Sequence, residues 1–230
     1  MVEPRVLPMH VSDVRIPDGD PRAGAPVPIV AFAVTHHDGV FLFDTGIGTG
    51  NAEIQEIFEP RTTPIDEALA AVGIRIADVT GVANCHLHFD HSGQNARFPG
   101  VPIFAQEREW RMVHEPDYTI AEWVDVPGLT YELLDDEAEV APGLRLLPSP
   151  GHTAGHQSLV VRTEEGDVVL AGQAVQTRAE WLGIADEATS GEPSAADPEA
   201  YARSVGLLRG LDPVRVHFAH DPEIWERGTP

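Results

Sequence analysis

Asn84-Cys85-His86-Leu87-His88-Phe89-Asp90-His91-Ser92-Gly93 is the stretch on which the reading of this chain turns. It packs three histidines and an aspartate into the six positions from His86 to His91. Imidazole and carboxylate are, with thiolate, the side chains that zinc favours. Such groups are costly to bury without a partner, so a chance run of core polarity explains the cluster poorly. Gly81 to Cys85 reads as a short strand that ends at the histidines. Residues two apart on a strand share a face, so His86 and His88 are expected side by side. Leu87 and Phe89 then face the other way, into apolar packing. Asp90 and His91 follow where Ser92-Gly93 signals a turn.

Two further histidines stand at comparable places. His152 lies in Pro150-Gly151-His152-Thr153-Ala154-Gly155-His156, a loop between expected strands, and His220 lies just past the last one. Outward from the cluster, Pro26 to Thr35 and Val40 to Phe43 read as a hairpin turning at Asp38-Gly39. The second strand runs into the glycine-rich Asp44-Thr45-Gly46-Ile47-Gly48-Thr49-Gly50. Pro64 opens a helix over about Ile65 to Val72. Strands are expected over Val101 to Ala105, Leu129 to Leu134, Gly143 to Leu147, Gln157 to Arg162, Asp167 to Ala171 and Val214 to Phe218. Helices are expected over Gln106 to His114 and from Asp197-Pro198 to about Leu208. Ala185 to Ala196 reads as a surface loop. The alternation is irregular, without repeats, which predicts a mixed α/β domain.

The chain has 230 residues, 42% of them hydrophobic and 23% charged, which fits one globular domain over residues 1–230. Its net charge is -22, and all fifteen basic residues are arginine. Such a field repels polyanions and excludes nucleic acid as a partner. No apolar run reaches the roughly 20 residues that span a bilayer, so no membrane association is expected. The start of the chain lacks the basic and apolar segments of a secretory leader. With the single cysteine, Cys85, this points to a cytoplasmic protein.

These motifs resemble the metallo-β-lactamase superfamily, whose signature is His-x-His-x-Asp-His followed by isolated histidines. The resemblance runs from Asp44 to His220 and implies a four-layer αββα sandwich with the site at one edge of its two sheets. Phe43-Asp44-Thr45-Gly46 is similar to the family's early loop, whose aspartate supports the metal ligands from behind. By position, one zinc site is implied at His86, His88 and His152, and a second at Asp90, His91 and His220. The length, Gly-His-Thr-Ala-Gly-His and the closing His-Asp-Pro most resemble the acyl-homoserine-lactone lactonases.

One position departs from the pattern. Where the family carries a metal-bridging aspartate after Gly172, 21 residues beyond His152, this chain has Gln173. A neutral amide is a poor ligand, so the second metal is expected to bind weakly or not at all. A tyrosine that often follows three residues later is Gln176 here. The resemblance implies a metal-dependent hydrolase in which a zinc-bound hydroxide opens a lactone or cleaves a related ester. Asp90 then orients the nucleophile and carries the proton, and Gln176 or Gln173 donates to the developing oxyanion. The substrate class is a small acyl compound. The alternatives are a thioesterase similar to glyoxalase II, an iron-dependent sulfur dioxygenase, and a non-catalytic ligand-binding member of the fold.

Among the remaining residues, Cys85 is expected as a packed core thiol pointing away from His86. His36 and His37 are expected in solvent. Trp110, Trp123, Trp181 and Trp225 read as core rather than as pocket walls. Asp221 is expected to cap a helix that follows it. His156 reads equally as a core residue or as a support for the ligands.

Overall fold

In a computed structural model, which describes residues 3–19, 22–185 and 195–229, thirteen strands form two sheets. The first has the spatial order β4 (Arg61–Thr62), β1 (Arg5–Arg15), β2 (Pro26–His36), β3 (Gly39–Phe43), β5 (Val79–Ala83), β6 (Pro102–Gln106) and β7 (Thr130–Leu134). The second has β13 (Trp225–Glu226), β12 (Arg215–His217), β11 (Gly166–Leu170), β10 (Gln157–Thr163), β9 (Leu144–Pro148) and β8 (Ala138–Ala141).

The near-continuous apolar run of β2 is what a strand covered on both faces requires. Val30, Phe32 and Val34, with Phe41 and Phe43 of β3, face the second sheet and meet Leu144, Leu146, Leu159, Val161 and Leu170. Ile29, Ala31 and Ala33 face the other way, under Ile65, Ala68 and Leu69 of the helix Ile65–Ala71. The far side of the second sheet, at Val160, Val169 and Val216, is covered by Trp181 and by Leu208 of the helix Pro198–Gly210. The layers therefore run helix, sheet, sheet, helix, which is the expected αββα sandwich. Asp197 opens the last helix as anticipated, its carboxylate accepting from the Ala200 N–H at 2.9 Å with Pro198 in the first turn.

Strand direction decides where the chemistry collects. β3, β5, β6 and β7 are parallel neighbours, so the loops leaving β3 and β5 emerge at one end. β11 and β12 are also parallel, and β10 runs antiparallel to β11. The β9–β10 connection and the segments after β11 and β12 thus share an end of the second sheet. The Gln157 N–H donates to the Cys85 carbonyl at 2.8 Å and the Val30 N–H to that of Ala219 at 2.9 Å, tying the two ends together.

Several expectations need correction. β5 stops at Ala83, before Cys85, because side chains replace the neighbouring strand as partners there: Asp44 takes the Cys85 N–H and Glu109 the Leu87 N–H. His86 and His88 therefore stand on a loop and not on a strand face, though Leu87 and Phe89 do enter apolar clusters. The helix expected over Gln106 to His114 is one turn, Glu107–Trp110, followed by tight turns; Pro116 disfavours helix at Glu115. β1 went unread because a bulge between His10 and Ser12 breaks its alternation. The short β4, β8 and β13 and the helices Ala52–Phe58 and Arg178–Leu182 were also not anticipated.

His36 is buried, while His37 is exposed beside Asp38. Among the described residues no helix follows Asp221; its carboxylate accepts from the Arg178 N–H at 2.9 Å, in the first turn of the helix Arg178–Leu182 that Thr177 caps. Most of the loop expected over Ala185 to Ala196 lies outside the described residues. Among the described residues, no helix is long and apolar enough to cross a membrane.

Candidate metal centre

His86, His88 and His152 meet at the shared end of the sheets. Their rings stand 4.4 to 5.1 Å apart, centre to centre, and one ring nitrogen of each falls within 4.8 Å of the others. His152 Nε2 faces His88 Nδ1 at 3.3 Å. Nε2 of His86 and Nδ1 of His152 are buried without any hydrogen-bond partner. Buried polar atoms are nearly always satisfied, so the orphaned Nε2 of His86 fits a cation at the centre of the trio, toward which His152 turns its other nitrogen, Nε2. Burial pushes the His86 and His152 imidazoles well below their ordinary range and His88 down to about 4. All three are neutral near pH 7 and offer lone pairs, the donor set of a zinc site with an open position.

Asp90, His91, His220 and Gln173 gather beside them. Asp90 Oδ2 lies 3.2 Å from His91 Nε2 and 3.7 Å from His220 Nε2. The amide oxygen of Gln173 stands 3.1 Å from the same His91 nitrogen. The outer nitrogens are held: His91 Nδ1 donates to Asp44 Oδ2 and His220 Nδ1 to the Pro28 carbonyl, both at 3.0 Å. Asp44 adopts φ 67, an uncommon conformation for a residue other than glycine, and its second oxygen accepts from the Cys85 N–H at 2.8 Å. One strained carboxylate thus ties the loop after β3 to both ends of the histidine cluster.

His156 settles into a supporting place. Its Nε2 accepts from the Gln173 N–H at 2.9 Å and its Nδ1 faces Ser149 Oγ at 3.0 Å. Burial pushes it down to about 3, consistent with a neutral acceptor. Gly172 beside it has φ +59, and a Cβ there would meet Cys85 Cβ at 2.6 Å and His156 Nε2 at 2.8 Å. The backbone that carries Gln173 is therefore held rigidly. Cys85 is a buried core thiol as expected, but it does not point away: its Sγ lies 3.1 Å from His86 Nδ1 and 3.3 Å from His91 Nδ1.

A cavity of about 430 Å³ opens onto these groups. Asp90, His152, Gln173, Gln176 and His220 line it, together with Arg22 and the apolar Val14, Ile16, Pro26, Val27 and Pro28. None of the four tryptophans borders it; they pack in the apolar clusters. Sequence reasoning missed the buried Glu109, whose carboxylate reaches both histidine loops, and Tyr118, whose ring stands edge-on to His88 at 4.8 Å. No motif flags either residue.

The sequence matches the metallo-beta-lactamase superfamily over residues 24–220. It is 32% identical over 216 residues to an N-acyl homoserine lactonase of Bacillus thuringiensis, covering 86% of this chain and 82% of that one. It is 30% identical over 251 residues to one of Azorhizobium caulinodans, covering 98% and 93%. The match to the Bacillus cereus lactonase spans 62% of that protein. Among solved structures, a quorum-quenching N-acyl homoserine lactone lactonase superposes with a TM-score of 0.79 at 25% identity, covering 96% of this chain and 94% of the other. Motif, fold and relatives agree: this chain belongs to the metallo-beta-lactamase superfamily, and its relatives are N-acyl homoserine lactonases.

Proposed function

We propose that this protein is a zinc-dependent hydrolase that opens an acylated lactone, with His86, His88 and His152 as the zinc ligands. The observation that carries the reading is the cavity, lined both by His152, Asp90 and two amides and by the apolar Val14, Ile16, Pro26, Val27 and Pro28. Zinc held by three neutral histidines supplies a Lewis acid and a water with a pKa of about 7.

The chain's own residues do the rest. Asp90 accepts a hydrogen bond from the attacking water and hands its proton to the ring oxygen as the acyl C–O bond breaks. The products are one carboxylate and one alcohol. Gln176 or Gln173 donates an amide N–H to the carbonyl oxygen as charge builds there. Val14, Ile16, Pro26, Val27 and Pro28 take the acyl chain and exclude water. The reading takes the chain as one domain, since both sheets share one apolar layer and both contribute to the site.

The same reading assigns one zinc per chain. Among the described residues, the carboxylates around His91 are the supporting Asp44 and Asp90, and Gln173 adds no charge. A second divalent ion there would be poorly neutralised. The test is turnover of N-acyl homoserine lactones of increasing chain length by the zinc-loaded protein, read as acid release, against a thioester panel. Each added methylene is expected to lower KM roughly fourfold, from about 0.8 kcal/mol per buried CH₂, until the cavity is full. Thioester cleavage without lactone cleavage would overturn the reading in favour of a thioesterase.

A further inference from the structure

The Glu109 carboxylate is completely buried and accepts four hydrogen bonds. The Leu87 N–H donates to Oε1 at 2.9 Å, and the Tyr118 hydroxyl donates to the same oxygen. The Thr153 hydroxyl donates to Oε2 at 2.7 Å and the Gly155 N–H at 3.2 Å. Four donors use the acceptor capacity of a carboxylate in full. Three of the four donors adjoin or touch a histidine of the trio, and the fourth, Gly155, lies on the loop that carries His152. Leu87 lies between His86 and His88, Thr153 follows His152, and Tyr118 packs its ring edge on His88.

The loop that carries His152 also approaches Glu109 too closely for any side chain at residue 155. A Cβ on Gly155 would lie 2.3 Å from the Glu109 backbone nitrogen and 2.5 Å from its Cβ. The two loops are thus clamped on the same residue by hydrogen bonds and by steric contact.

We propose that Glu109 is the positioning residue of the metal centre, a single buried carboxylate that holds all three histidines of the trio in register. The inference rests on the reading of that trio as the zinc ligands. Glu109 touches neither substrate nor ligand nitrogen; it acts through the loops. Glutamine in its place matches the shape but not the donors. The Thr153 and Tyr118 hydroxyls can turn to accept from an amide NH₂, but a backbone N–H cannot. In either orientation of the amide, Leu87 or Gly155 is left with an unmatched buried N–H beside a histidine.

The experiment is cobalt(II) and zinc titration of chelator-stripped full-length protein against a competing chromophoric chelator, with the visible cobalt spectrum recorded. Glu109→Gln is expected to weaken metal binding roughly ten- to a hundredfold, the usual size of losing a partner behind the ligands, and to shift the cobalt bands. Thr153→Val and Tyr118→Phe each remove one donor and are expected to weaken binding roughly two- to tenfold; they decide the matter if Glu109→Gln does not fold. Leu69→Ala, a core change beneath the helix Ile65–Ala71, lowers stability and is expected to leave the cobalt spectrum unchanged. Folded variants with wild-type affinity and spectrum would overturn the positioning role while leaving the metal centre intact. A wild-type protein that takes up neither metal would overturn the metal reading and this inference together.

Discussion

Replacing Gln173 by aspartate turns the one neutral amide in the Asp90, His91 and His220 group into an anion, and a second bound ion is expected to follow. The amide oxygen lies 3.1 Å from His91 Nε2. At such a spacing two opposite unit charges attract by about 5 kcal/mol for an effective dielectric constant of about 20, and a divalent ion by about twice as much. Burying the new carboxylate costs several kcal/mol. The remainder, on the order of 2–5 kcal/mol, is a gain in affinity of roughly thirty- to several-thousandfold. The backbone is held by Gly172 at φ +59 and by the bond from the Gln173 N–H to His156, so the change is confined to the side chain. Aspartate is one methylene shorter than glutamine; Gln173→Glu keeps the reach and serves as its companion. Elemental analysis per chain, with zinc competition titration, is the assay. One ion is expected in the wild type and two in at least one variant. The reasoning fails if both variants hold the same number as the wild type, or if the wild type already holds two.

Other outcomes follow from the same structure. His152→Ala is expected to abolish stoichiometric zinc binding and activity while leaving a folded protein, checked by elemental analysis beside a melting curve; a full zinc complement would remove His152 from the trio. Gly155→Ala forces a Cβ against the Glu109 backbone and is expected to cost about 1–3 kcal/mol of stability, measured by urea unfolding; an unchanged midpoint would refute the close approach. His217 is buried edge-on to Phe32 with neither ring nitrogen partnered, and burial pushes its pKa from 6.5 down to about 4. The unfolded chain therefore takes up a proton that the folded one refuses, and stability falls as pH drops from about 6.5 to about 4, by roughly 3 kcal/mol from this group. His217→Phe is expected to flatten that acid limb in chelator-treated protein, and parallel limbs for the two proteins would contradict the assignment.

Much of the candidate metal centre was legible because its signal is local. His86, His88, Asp90 and His91 lie within one loop, and their density needs no knowledge of the fold to be noticed. His152 and His220 stood out because each closely follows or precedes an apolar strand, and Gln173 through the resemblance to the family's metal-bridging position. The strand-ending Asp44 was read from its glycine-rich context. What failed locally failed for physical reasons. β1 carries a bulge that hides its period, and β5 ends early because two buried carboxylates, not a strand, take the next N–H groups.

By itself the sequence gathered the candidate ligands and marked the apolar strands, since both depend on residue identity and short spacing, while the amide at residue 173 stood out only against the family pattern. Only the tertiary structure decided what stands behind the candidate ligands. Leu87 and Thr153 are 22 and 44 residues from Glu109 along the chain. Nothing in the spacing of those residues foretells that one carboxylate will bind both loops. That pairing exists because two sheets pack with their loop-bearing ends together, and a carboxylate buried between those loops is stable only when every oxygen finds its donors.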